Sequence, residues 1–194
     1  MSHPSAVMLN PVAFWFLRHG ETDWNAQNLS QGNVDIPLNQ NGVAQAKAAA
    51  VMLRHKGIRS IVASPLSRAR VTAEIAAAAV GLPIAFDPDL RECAYGVMEG
   101  KPMTEWFTLW VEGKATPDGA ESFAALTARA IPAINRATAR PAPVVVVAHG
   151  AVFRALRAAM GHEPNVRTRN AVPIWCEPPA TAAAPWGVAY ADAT

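Results

Sequence analysis

Three apolar runs in this chain end in residues able to bind or move an anion. "FWFL" (14–17) leads into Arg18, His19 and Gly20. "SIVAS" (60–64) leads into Pro65-Leu66-Ser67-Arg68, and "VVVVA" (144–148) into His149 and Gly150. An imidazole with one unprotonated nitrogen is a nucleophile or a general base. A guanidinium offers a planar fork of N–H donors that matches the oxygens of a phosphate. If these three ends meet, two histidines and two arginines repel one another unless an anion sits among them. Phosphate fits that set best, because helix N-termini following the strands would add N–H donors to the arginine forks. A glycine after each histidine lets backbone approach a ligand closely.

Bringing the ends together requires parallel strands, since ligands of open α/β sheets bind beyond the carboxyl ends of the strands. Val12–Leu17 reads as a continuous strand of the kind buried on both faces. "LNQNGVAQAKAAAVMLRHKG" carries a helix from Asn39, its N-cap, to about Lys56, with Gly57 as its stop. The second strand is 60–64, and "LSRARVTAEIAAAAVG" is a second helix closing on Gly81. "LPIAFDP" supplies a third strand. Residues 87–118 are irregular around one short helix at Thr104–Val111, and read as a cap-like insertion in a single domain spanning 1–194. "ESFAALTARAIPAINRATAR" is a long helix with a kink expected at Pro132. "APVVVVAHG" is the clearest strand, followed by the helix "AVFRALRAAMG". "AVPIW" and "WGVAYA" give late strands around the loop "EPPATAAAP". Alternating strands and helices predict an α/β three-layer sandwich, a mostly parallel central sheet with helices on both faces.

Composition narrows the function classes. At 194 residues and 51% hydrophobic, the chain can bury a core without disulfides. A net charge of +2 is too small to argue for nucleic acid or a membrane surface, while a pI near 8.7 suits small anions. No run approaches the roughly twenty apolar residues of a membrane span, and the start has neither a basic nor a long apolar leader region. A cytoplasmic protein is expected. Cys93 and Cys176 have no metal or CxxC spacing and read as reduced thiols. His3, His55 and His162 read as surface residues. Trp106 and Trp110, four apart, read as packing residues that also shape a pocket mouth.

"LRHGETDWN" resembles the signature of the histidine phosphatase superfamily, in its phosphoglycerate-mutase-like branch. "QGNVDIPLNQNGVAQA", "SPLSRARVTAEI", "LRECAYGVMEG" and "VVVVAHGAVFRAL" resemble its later segments in the same order, covering most of residues 12–156. The resemblance implies roles by position. His19 is the nucleophile that becomes a phosphohistidine. Arg18, Arg68 and His149 form the phosphate pocket, with Asn25 on the phosphoryl group. Glu92 is general acid and base, and Gln31, Gly32, Tyr95 and Gly150 contact substrate. On residue type alone, Glu21 and Glu99 rival Glu92, and Arg70 rivals Arg68; the "SP-x-x-R" placement favours Arg68. Neither metal nor cofactor is implied, except 2,3-bisphosphoglycerate if the chain is a mutase. The partner implied is a small phosphomonoester, with no nucleic acid or membrane, and the sequence carries no sign of an oligomeric state.

The chemistry is coherent with that set. Imidazole attacks only when its reactive nitrogen is unprotonated, and neighbouring cations favour that form. Its other nitrogen needs a fixed partner, expected to be a local backbone carbonyl. Glu92 must be protonated to help a leaving alkoxide and ionised to activate water. Two departures touch specificity: Val97-Met98 where an aromatic is common, and an alanine inside "PDGAESF". Three functions are compatible: a phosphatase passing the phosphoryl group to water, a mutase returning it to another hydroxyl, and a non-catalytic phospho-ligand module. A mutase must hold two anionic ends, and residues 101–118 carry only Lys101 and Lys114 as basic residues. That favours the phosphatase.

Overall fold

Apolar runs that alternate between two cores build the centre of this molecule. The computed structural model describes residues 8–181 and 184–191. Strands β1 (Phe14–Arg18), β2 (Ser60–Ala63), β3 (Ile84–Phe86) and β4 (Val144–Ala148) are parallel and lie in the order β3-β2-β4-β1. An antiparallel pair, β5 (Ile174–Glu177) and β6 (Gly187–Tyr190), extends the β1 side. The sheet is thus parallel at its centre and antiparallel at one edge, as the α/β expectation required.

Helices α1 (Asp23–Ala26), α2 (Gln40–Leu53), α3 (Ser67–Val80), α4 (Glu105–Val111), α5 (Phe123–Thr138) and α6 (Gly150–Ala159) complete the elements. Successive strand residues point to opposite faces. Trp15, Leu17, Val145 and Val147 pack with buried alanines of α2 and α3. Phe14, Phe16, Val144 and Val146 pack with α5 and α6, where Phe16 and Phe153 lie 4.5 Å apart between ring centroids. Truncating either ring to alanine would cost about 3–5 kcal/mol.

Local chemistry decides where the helices end. Asn39 does cap α2, its Oδ1 accepting from Gly42 N at 2.8 Å, but the helix ends at Leu53, before Lys56, and turns through Gly57. α3 stops at Gly81, in the left-handed region at φ 74°. At Pro132, where a kink is expected, α5 remains one helix from Phe123 to Thr138. One missing N–H does not end a helix whose Leu126, Ala130, Ile131, Ala133 and Ile134 are all buried.

Segment 87–118 holds two short 3-10 turns, Pro88–Leu90 and Gly96–Met98, before α4. Leu90, Tyr95, Phe107 and Trp110 drive it into the core on the α5/α6 face. Both tryptophans are packing residues with satisfied indoles: Trp106 Nε1 donates to Pro102 O and Trp110 Nε1 to Glu121 O, each at 2.8 Å. His55 is exposed, but His162 is half-buried, with Nε2 2.7 Å from Trp186 O. His3 lies outside the described residues. Cys93 and Cys176 are buried free thiols whose ionisation burial opposes. No helix among the described residues is long and apolar enough to cross a membrane.

Candidate active site

Parallel register brings the three strand ends to one rim. Arg18 stands opposite Ala148, and Ala63 opposite Val147. The ladder continues one step further, His19 N donating to Ala148 O at 3.0 Å and Ser64 N to Val147 O at 2.9 Å. His19, Ser64 and His149 are therefore neighbours at the carboxyl edge, where α3 leaves β2 on one face and α6 leaves β4 on the other.

His19 is 2% exposed, and its backbone is pinned from both sides: its carbonyl accepts from Asn170 Nδ2 at 3.0 Å and Gly20 N donates to Thr72 Oγ1 at 3.0 Å. Nδ1 lies 2.7 Å from Gly20 O. A carbonyl only accepts, so Nδ1 carries the proton and Nε2 keeps its lone pair. Burial, then Arg68 and Arg18, holds the ring well below the usual histidine range and hence neutral. The ring of His149 lies 5.2 Å from that of His19, between centroids. His149 is fully buried, its Nε2 2.7 Å from Ser64 Oγ and its Nδ1 without a partner among the described residues. Burial and Arg68 keep it neutral too.

A small recess opens onto His19, lined also by Arg18, Gln31, Arg68, Glu92 and Tyr95. Arg68 is fully buried at the start of α3, donating from Nη1 to Val34 O at 2.9 Å and from Nη2 to Gly32 O at 2.8 Å. Arg18 donates from Nη1 to Thr168 O at 2.7 Å. The Nε atoms of both arginines are buried without a partner among the described residues. Main-chain oxygens hold these guanidiniums in place, and no carboxylate pairs with them in the described hydrogen bonds.

Geometry separates the three glutamates. Glu92 is 8% exposed and lines the recess; its two oxygens accept from Ala151 N at 3.2 Å each, and Oε1 also accepts from Cys93 N at 3.1 Å. Glu99 Oε1 instead ties two loops together, accepting from Asn33 N at 3.1 Å and Tyr95 N at 3.2 Å. Glu21 accepts from Asn39 and Asn41 near the start of α2. Of the three, only Glu92 lines the recess.

The remaining candidates divide. Asn25 lines the recess with Oδ1 already taken by Thr22 N and Asn170 Nδ2, which leaves its NH2 end for a ligand. Gln31, Tyr95 and Gly150 also line it. Gly32 does not: it stands at φ +54°, passes its carbonyl to Arg68, and a β-carbon there would lie 2.1 Å from Glu99 Oε1. Its place is behind the recess. His149 is not among the lining residues, but its ring, with Nδ1 unpartnered among the described residues, lies 5.2 Å from that of His19 between centroids. Gly20 serves packing, not ligand approach, because a β-carbon would come 2.3 Å from Gly42 O in the first turn of α2. The first N–H groups of α6 are not left entirely to an anion either, since Ala151 N is bound to Glu92.

Two functional features escape motif reading. Arg154 lines the recess and, with Arg167, a larger outer cavity. Its signal is helical spacing: four residues after Gly150, it falls on the same face of α6. Arg129, on α5, pairs with Glu121 at 2.7 Å and donates to the carbonyls of Asp89, Arg91 and Glu92, so it holds the backbone that carries Glu92. Its carbonyl partners lie 37 or more residues upstream, and no local pattern announces them. Among the described residues, no three His, Cys, Asp or Glu side chains gather as a metal site.

Known proteins are similar to this chain in sequence and fold. The family profile of the histidine phosphatase superfamily, branch 1, matches residues 14–173. The chain is 37% identical over 169 residues to the uncharacterized phosphatase PhoE of Bacillus subtilis, covering 83% of this chain and 84% of that one. It is 36% identical over 173 residues to a probable phosphoglycerate mutase, GpmB, of Yersinia pestis, covering 80% of each. A mycobacterial glucosyl-3-phosphoglycerate phosphatase, solved with VO3, superposes with a TM-score of 0.79 at 29% identity, over 93% of this chain and 98% of that one. With its profile spanning both histidine strand ends and its relatives aligned over four-fifths of its length, the chain belongs to branch 1 of the histidine phosphatase superfamily.

Proposed function

We propose that the chain is a metal-independent phosphatase of small phosphomonoesters that works through a phosphohistidine at His19. The observation that carries this reading is a neutral imidazole, its Nδ1–H tied to Gly20 O, at the mouth of a recess flanked by Arg18, Arg68 and Glu92. Nε2 attacks phosphorus and the bond to the ester oxygen breaks. Glu92, in its acid form, gives that oxygen its proton. Glu92, now ionised, takes a proton from water, which attacks the phosphohistidine and frees phosphate and imidazole. The open Nε atoms of Arg18 and Arg68 and the open Nδ1 of His149 supply donors for the equatorial oxygens. Because the arginines are already bonded to the main chain, little reorganisation accompanies the charge that develops.

The relative named as a mutase supports a second reading, transfer back to another hydroxyl with 2,3-bisphosphoglycerate as cofactor. Lys101 and Lys114 line neither cavity, and Lys114 pairs with Glu112 at 2.8 Å on the surface, so segment 101–118 supplies no cation for a second anionic end; the arginines placed to do so are Arg154 and Arg167 of the outer cavity. The test is phosphate release across a panel of phosphomonoesters, with and without 2,3-bisphosphoglycerate, following free phosphate and isomerised product together. Release without isomerisation is expected, undiminished by EDTA and blocked by vanadate. Isomerised product that depends on the bisphosphate makes the chain a mutase. Activity lost to chelator and restored by magnesium or zinc overturns the mechanism.

A further inference from the structure

Two buried histidines lie side by side at this site, and each has one ring nitrogen tied to a neighbour of different chemistry. Nδ1 of His19 lies against Gly20 O, a group that only accepts. Nε2 of His149 lies 2.7 Å from Ser64 Oγ, a hydroxyl that can accept or donate. Ser64 is fully buried directly after β2, its N–H donating to Val147 O at 2.9 Å, so the register of β2 on β4 sets the hydroxyl beside the ring. Burial and Arg68 keep His149 neutral, and a neutral imidazole carries one proton. Two arrangements then compete. If Nε2 holds the proton, Ser64 accepts it, the serine O–H has no acceptor among the described residues, and Nδ1 keeps a buried lone pair. If Ser64 donates instead, its proton is used, an Oγ lone pair remains for Leu66 N at 3.4 Å, and Nδ1 carries an N–H. The first leaves two buried polar groups unsatisfied. The second leaves one, a donor that an anion can satisfy.

We propose that Ser64 is a positioning residue: its hydroxyl donates to Nε2 of His149 and so holds that ring's only proton on Nδ1, as a donor for a phosphoryl oxygen. This rests on the phosphatase reading for its catalytic sense. Ser64 does not line the recess and acts through the ring. The two imidazoles carry the same tautomer with opposite ends anchored. His19 is anchored through its N–H and offers a lone pair to phosphorus, whereas His149 is anchored through its lone pair and offers an N–H. An accept-only carbonyl suits the nucleophile, and a donating hydroxyl suits the residue that stabilises charge.

Long-range proton–nitrogen NMR of histidine-labelled protein reads the proton directly, without turnover, and His149→Asn assigns the ring. In the wild-type protein, free and with vanadate, Nδ1 of His149 should be protonated and Nε2 not. A proton on Nε2 alone, or on both nitrogens, overturns the proposal. These wild-type spectra decide the matter even if a buried substitution at Ser64 prevents folding. In free Ser64→Ala the proton should spread over both nitrogens, and vanadate should bind roughly 2–10-fold more weakly, because the competent tautomer becomes a fraction of the population. Ser64→Thr keeps a hydroxyl and should restore both the spectrum and the affinity. A residue that merely fills the strand end would lower stability in Ser64→Ala and leave the His149 nitrogens as in wild type, which overturns the proposal. The expected tautomer, lost in Ser64→Ala, in a protein that releases no phosphate from any phosphomonoester, upholds Ser64 and overturns the phosphatase reading. Phosphate release with the proton on Nε2 does the reverse.

Discussion

The inner recess and the outer cavity share a wall and are built in opposite ways. In the recess, Arg68 is bonded to Gly32 and Val34 carbonyls, Arg18 to the Thr168 carbonyl, and His19 to that of Gly20. Main-chain oxygens fix each group, so donors stand ready where charge develops in a transition state. In the outer cavity, Arg154 rests on a phenyl ring with its Nε unpaired, and Arg167 lies exposed. A rigid inner set can serve phosphoryl transfer from many esters, whereas the looser outer set can discriminate among leaving groups. Experiments that damage one region and spare the other test this division.

The largest effect belongs to the nucleophile. His19→Ala should lower turnover by about 10⁴-fold or more, as removal of a covalent nucleophile does. Acid-labile, base-stable radiolabel trapped on the wild-type protein from labelled substrate should vanish with it. An adduct that persists in His19→Ala places the nucleophile elsewhere and dissolves the inner recess as the reacting centre.

Glu92 comes next, and its effect should depend on the leaving group. An alkyl phosphate departs as a basic alkoxide and needs a proton; p-nitrophenyl phosphate hardly does. Glu92→Gln should slow single-turnover phosphorylation of His19 by alkyl substrates by about 10²–10⁴-fold, and much less by the aryl one. Glu99→Gln, which loosens the contacts to Asn33 and Tyr95, should leave the ratio of the two rates near wild type. Leaving-group dependence in Glu99→Gln and none in Glu92→Gln would reverse the assignment.

The two regions also differ in how legible they were. Strand ends at 18–20, 64–68 and 148–150 could be read because strand period, strand direction and residue type all act locally. Glu92 needed the resemblance, since a loop carboxylate has no local mark; its bond to Ala151 N joins residues 59 apart. Gly20 was given the wrong reason, because the tight neighbour is Gly42 across the start of α2, a tertiary fact. Gly32, which passes its carbonyl to Arg68, and His149, which stands beside His19, fall outside the lining of the recess, and a motif does not distinguish contact from support. Cations for a second anionic end were sought only in residues 101–118, whereas those lining the outer cavity are Arg18 of β1, Arg154 of α6 and Arg167. The charges of one segment were a poor guide to a cavity that distant segments assemble.

Protonation separates the regions on a third scale. His19 and His149 are both held well below the ordinary histidine range, chiefly by burial. As pH falls through about 6.5, the unfolded chain takes up a proton on each and the folded chain does not. Stability present above that pH is therefore lost below it, at about 1.4 kcal/mol per pH unit for each ring until the folded form also protonates. Urea midpoints at pH 7.5 and 5.5 should show the loss, and His149→Asn should lessen it by one proton's share. Arg154→Gln should leave the pH slope alone, since the outer arginines stay charged throughout. An unchanged slope in His149→Asn would show that this ring is already protonated in the folded protein.

The smallest effect tests the border of the recess on α3. Arg68 and Arg70 are two residues apart, roughly 200° around a helix, so they project to opposite sides. Arg68 is fully buried on the Gly32 and Val34 carbonyls, whereas Arg70 is exposed and 3.9 Å from Glu74 one turn on. Such a surface pair contributes about 0.3–0.5 kcal/mol, screened further by salt. Arg70→Gln should accordingly lower the unfolding free energy from urea titration only by that amount, with phosphate release within about twofold of wild type. Arg68→Gln removes a fixed donor from the recess and should lower kcat/KM by about 10²–10³-fold. Both proteins keep the same net charge, so a general loss of positive field would affect them alike and a positioned guanidinium would not. Equal losses in the two would mean that long-range charge, and not the main-chain bonds of Arg68, governs phosphate capture, and the contrast between a rigid recess and a loose outer cavity would fall with it.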